Sequence, residues 1–172
     1  MSGNSDPDRV LNENPLPEFV FINKLYLFQF IVDENFSVKL VDFGASYIDG
    51  PHEMEFHIIR TGVNFYFGPE EISKNCFSHL SHYIPKTESD VYRLGVLFYY
   101  VFYEKFPFHK KRWNELYHQI QYEEPIMYEK MKTGEKIPYY YITLMRRSLA
   151  KDVSKRFKSA THMMEFLNSI AN

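Results

Sequence analysis

The grouping of apolar and polar positions changes character near residue 70. Before that point the apolar residues come in short runs. Phe19-Val20-Phe21 and Phe30-Ile31-Val32 read as brief strands. Residues 33–37 (Asp-Glu-Asn-Phe-Ser) read as a turn, because Asp and Asn bond locally to their own backbone. Residues 38–41 read as the returning strand of a hairpin. Residues 42–70 are punctuated by Gly44, Gly50, Pro51, Gly62, Gly68 and Pro69, which predicts mostly loop. From Ile72 onward the spacing turns helical. Residues 89–103 are apolar almost all round, the mark of a buried helix, with Ser89 or Asp90 as its expected cap and Phe106-Pro107-Phe108 as its end. Trp113, Leu116, Tyr117 and Ile120 form one stripe of a second helix. Residues 139–150 and 160–170 predict two more. The expected fold is mainly α with a small β-hairpin.

Residues 1–18 are polar and hold Pro7, Pro15 and Pro17, so a flexible leader is expected before a single domain at 19–172. Hydrophobic residues make up 45% of the chain, enough for a packed core. The 16 Phe and 14 Tyr mostly predict a bulky core, with part of that surface left over for a partner. A net charge of −2 gives no basic footprint for nucleic acid and no polybasic membrane signal. Cys76 is the sole cysteine, so no internal disulfide can form. The first residues show no signal peptide, and the longest apolar stretches, 19–32 and 91–103, are short of a membrane span and carry Lys24 and Arg93. A cytoplasmic or nuclear setting is expected.

Four landmarks carry more specific information. Asp42-Phe43-Gly44 follows the apolar run 37–41. Gly68-Pro69-Glu70 comes next, then Ser89-Asp90-Val91-Tyr92-Arg93-Leu94-Gly95, and last Leu149-Ala150-Lys151-Asp152-Val153-Ser154-Lys155-Arg156. One such triplet alone is a weak signal; four in order and at matching spacing are strong. Together they resemble the C-terminal lobe of a eukaryotic protein kinase over residues 19–170. In that family the aspartate of D-F-G holds magnesium against the ATP phosphates. The resemblance puts Asp42 there as a magnesium remnant, with a structural acid at a strand end as the blander reading.

The resemblance also places the family's catalytic loop on residues 22–29, and there the chemistry departs. Lys24 stands where an aspartate would accept the substrate's proton, and an ammonium has no lone pair to do so. Gln29 stands where an asparagine would bind the second metal. Asn23 replaces the phosphate-gripping arginine, while Leu25 matches. Val63 replaces the usual threonine of the segment before Gly68. No G-x-G-x-x-G is present, and 41 residues precede Asp42, too few for an N-terminal lobe with its strand lysine.

What the resemblance implies for the scaffold is different. Glu70 should pair with Arg156, and Asp90 should accept backbone N–H groups from the catalytic-loop region. Cys76, His79 and His82 lack a fourth ligand at useful spacing, so no metal site is expected, and Lys110-Lys111-Arg112 reads as solvated. The implied picture is a degenerate, pseudokinase-like domain without an N-lobe. It would bind another protein, such as a kinase or a kinase substrate, or itself, and needs no cofactor. The alternative is a part of an active serine/threonine kinase whose N-lobe lies outside this chain, in which case Mg-ATP is its cofactor. Phe19, Phe21, Phe28, Phe30 and parts of Phe98 and Phe102 are the side chains expected to be left under-covered.

Overall fold

A computed structural model describes residues 20–21, 27–43, 47–48, 64–73 and 86–171. Four short strands come first: β1 (Val20–Phe21), β2 (Phe30–Val32), β3 (Val38–Leu40) and β4 (Tyr47–Ile48). β2 and β3 form an antiparallel hairpin in which Phe30 faces Leu40, Ile31 faces Lys39 and Val32 faces Val38. Its turn is built as the composition predicts: the Asp33 carboxylate accepts from the Asn35 and Ser37 amides, both at 2.9 Å. β1 pairs antiparallel with β4, so the expected loop at 42–70 contains a strand. Two residues are too few to leave a periodic signal. Asn64–Tyr66 adds one 3-10 turn.

Five α-helices follow among the described residues: α1 (Pro69–Ser73), α2 (Thr87–Tyr103), α3 (Trp113–Tyr122), α4 (Tyr139–Ser148) and α5 (Ala160–Ala171). α2 is the spine. Tyr92, Val96, Tyr99 and Tyr103 enter one core with Leu116, Ile120, Ile142, Met145 and Leu149. Val91 and Leu94 turn the other way, to Leu144, Phe157 and Met163. Two opposite faces of one helix are therefore buried, which explains its near-continuous apolar character. Gly95 lets α4 come close: a Cβ there would lie 2.7 Å from the Ser148 Cβ.

The start of α2 differs from expectation, while its end at Tyr103 agrees. It starts at Thr87 with Lys86 as N-cap, and neither Ser89 nor Asp90 caps it. Ser89 is buried and donates instead to Glu70 at 3.1 Å. The helix closes before Phe106, through Glu104 in the left-handed region (φ 53°), whose N–H reaches the Tyr100 carbonyl at 2.7 Å. Beyond α3, the non-helical segment 123–138 is tied to the spine by two hydroxyls. Tyr99 donates to the Ile126 carbonyl and Tyr103 to the Tyr128 carbonyl, each at 2.8 Å. No helix among the described residues is long and apolar enough to cross a membrane.

Candidate functional site

α1 is short, and charges hold it in place. Pro69 fixes the backbone at its first position and Glu70 and Glu71 occupy its first turn, where acids suit the helix dipole. The two glutamates diverge. Glu70 meets Arg156 as a two-pronged pair, with Nη1 to Oε1 and Nη2 to Oε2 both at 2.8 Å. Arg156 has no exposed side-chain surface, and it donates further to the Glu88 carbonyl at 3.0 Å and the Ala150 carbonyl at 2.8 Å. Its guanidinium lies over the Tyr92 ring, 4.7 Å from the centroid. Burial alone would raise the Glu70 carboxyl, but Arg156, Glu70's own backbone N–H and the Ser89 hydroxyl outweigh it and hold the group below the ordinary carboxylate range. Gly68 makes room: a Cβ at that position would sit 2.7 Å from Glu70 Oε2.

Glu71 faces the other way and is buried against Arg93 of α2, which also bonds Asp90 at 3.3 Å. Its second oxygen accepts from the Gly68 N–H at 2.7 Å. Burial pushes the Glu71 carboxyl up to about 7, against the pull of Arg93 and of the Gly68 amide. Sequence reasoning missed this second pair. The signal was a cation, Arg93, set in an otherwise apolar helix at a buried phase of its turn.

Asp42 lies just after the hairpin with an exposed side chain and a left-handed backbone (φ 64°). Gln29 is buried, and its Nε2 donates to the Asp42 carbonyl at 3.0 Å. The main chains join as well, the Val41 N–H donating to the Gln29 carbonyl at 2.8 Å. The side chain at 29 is thus directed to the backbone of the D-F-G triplet. Lys24, Asn23 and Leu25 lie outside the described residues, as do Val63 and the segment with Cys76, His79 and His82. Asp90 contacts Arg93; of the catalytic loop it was expected to serve, residues 22–26 also lie outside the described residues. Among the described residues no three His, Cys, Asp or Glu side chains come together to hold a metal ion. The Asp42 carboxylate and the Gln29 amide oxygen are of the oxygen type that magnesium takes, and the Gln29 atom bonded to the Asp42 carbonyl is Nε2.

Of the side chains expected to be under-covered, Phe28 is 84% exposed. Phe30 is half-buried, and Phe98 and Phe102 pack against the core. Phe19 and the Phe21 side chain lie outside the described residues.

The model of the protein kinase domain matches residues 29–167. The chain belongs to the protein kinase domain family, and its mainly helical fold with a small antiparallel hairpin agrees with that family's C-terminal lobe. No curated protein matches the chain.

Proposed function

We propose that this chain is a catalytically inactive member of the protein kinase domain family that acts as a protein-binding or regulatory module. The observation that carries the reading is Gln29. In this family the residue at its place binds the second magnesium. Here it is buried and bonded to the Asp42 main chain. Lys24 at the position of the catalytic base supports the same reading, since an ammonium cannot accept the substrate's proton. The paired Glu70 and Arg156 support a retained scaffold, which a binding role and phosphoryl transfer both need.

The second reading is a part of an active serine/threonine kinase completed by a lobe beyond this sequence. Asp42 and the anchored α1 favour it. Mg-ATP separates the two. A ligand at a hundred times its dissociation constant would stabilise the native state by roughly 2.7 kcal/mol. The inactive reading expects no rise in melting temperature at millimolar Mg-ATP and no phosphate transferred to a generic acceptor protein. A reproducible rise of several degrees would refute it for nucleotide binding, and transfer that survives Asp42→Asn would remove Asp42 from any catalytic role.

A further inference from the structure

Three lysines converge on one cleft at the C-terminal end of α2. The cleft has a volume of about 430 Å³ and lies between that end and the segment 128–132. Tyr103, Tyr128 and Met131 give it an apolar lining. Lys105, Lys130 and Lys132 line it as well, against one carboxylate, Glu104. Two of the cations are already positioned. The Lys105 ammonium lies over the Tyr128 ring, 3.9 Å from the centroid. Lys132 Nζ donates to Glu104 Oε2 at 2.6 Å.

Lys130 is placed at a cost. It faces Lys136 across an antiparallel bridge. The Met131 N–H donates to the Glu135 carbonyl and the Ile137 N–H to the Glu129 carbonyl, each at 2.8 Å. That phase makes Lys130 and Lys136 a non-bonded pair, in which the two side chains stand closest together. Like charges set directly opposite are destabilising. Neither lysine forms an ion pair with an acid among the described residues. A single surface lysine is ordinary, but a pair held in mutual repulsion at the mouth of a cationic cleft points to an absent anion.

The charge defines that anion. The lining carries three positive charges and one negative. The C-terminal end of α2 adds roughly half a negative charge, so a surplus of roughly +1.5 remains, with Lys136 beside it. A phosphate monoester carries about −1.5 to −2 at pH 7. The aromatic and thioether lining suits a ring rather than a short aliphatic stem. We propose that this cleft docks a phosphotyrosine side chain of a partner protein, with the phosphate between Lys105, Lys130 and Lys132 and the ring against Tyr128 and Met131.

This deepens the binding reading by naming what is bound, and it rests on that reading. Calorimetric titration of the full chain with a short glycine-flanked phosphotyrosine peptide should show one saturable site that weakens as salt rises. Lys130→Met should weaken it about tenfold. The same variant should keep or raise the urea midpoint, because it removes a like-charge pair. A merely structural lysine would lower it. Glu104→Gln removes the competing carboxylate and should tighten binding. Lys110→Met, on a different part of the surface, should leave binding unchanged. No binding, equal binding of the unphosphorylated peptide, or an equal loss in Lys110→Met overturns the assignment. Inorganic phosphate or a phosphoserine peptide binding as tightly overturns tyrosine as the source of the phosphate. Phosphate transfer by a chain that holds the peptide would sink the inactive reading and leave the cleft standing; an inert chain that ignores the peptide would do the reverse.

Discussion

Removing Arg156 tests whether α1 is held by charge. In Arg156→Ala the Glu70 carboxylate loses both of its 2.8 Å partners, and the Glu88 and Ala150 carbonyls lose their donor. Breaking one side of a buried pair costs about 3–5 kcal/mol. Glu70→Ala should cost about 3 kcal/mol, the low end, because Arg156 keeps its two carbonyl bonds. In the double variant no charge is stranded, so the loss should fall short of the sum by about 1–3 kcal/mol. Urea unfolding followed by Trp113 fluorescence reads these values as midpoint shifts at constant slope. A domain of this size holds about 5–15 kcal/mol in all, so Arg156→Ala risks unfolding outright. Arg156→Lys then takes its place: it keeps the charge, loses the two-pronged geometry and should lie between wild type and alanine. A coupling below about 0.5 kcal/mol would show that the two residues do not act as a pair, whatever their distance.

Glu70 and Glu71 should respond to pH in opposite senses. The folded Glu70 carboxyl is held below its ordinary 4.5, so its contribution is present above that pH and lost as pH falls through the folded value. Glu70→Gln should remove this part of the acid sensitivity in urea midpoints measured across pH. Glu71 is pushed up to about 7, so stability should fall as pH rises from 4.5 to 7, and Glu71→Gln should flatten that fall. Lys151 donates to the Ile120 carbonyl at 2.6 Å at the end of α3, and burial lowers it to about 8. The unfolded lysine keeps its proton to about 10.5, so stability should rise from pH 8 toward 10, and Lys151→Met should abolish the rise. Gly95→Ala would force a Cβ to within 2.7 Å of the Ser148 Cβ, and thermal unfolding should show an overpacking cost of about 1–3 kcal/mol.

The sequence showed most clearly what depends on local periodicity. α3 is found at Trp113–Tyr122 because its stripe is amphipathic, and α2 is evident because both of its buried faces are apolar. The hairpin is legible because Asp33 and Asn35 make its turn. The misreadings arise where a distant group takes over a local one. Ser89 has the composition of a cap, but the Glu70 carboxylate claims its hydroxyl. β4 exists only because β1 lies beside it. At the site, Glu70 and Arg156 could be matched through the family's pattern, whereas no spacing rule links two residues 86 apart. Glu71 and Arg93 had no such guide. A second acid after Glu70 reads as solvated, and Arg93 reads as a break in an apolar run. Those two charges meet only once α1 lies beside α2.

The two anchors of α1 also differ in when they can form. Glu71 and Arg93 are 22 residues apart, while Glu70 and Arg156 are 86 apart. At a synthesis rate of about 5–20 residues per second, the first partner follows within about 1–4 s and the second after about 4–17 s. During that interval a nascent chain can have the inner glutamate engaged and the outer one still waiting. The segment before α2 therefore closes in two stages set by translation, and slowing the ribosome between residues 93 and 156 would lengthen the half-latched stage.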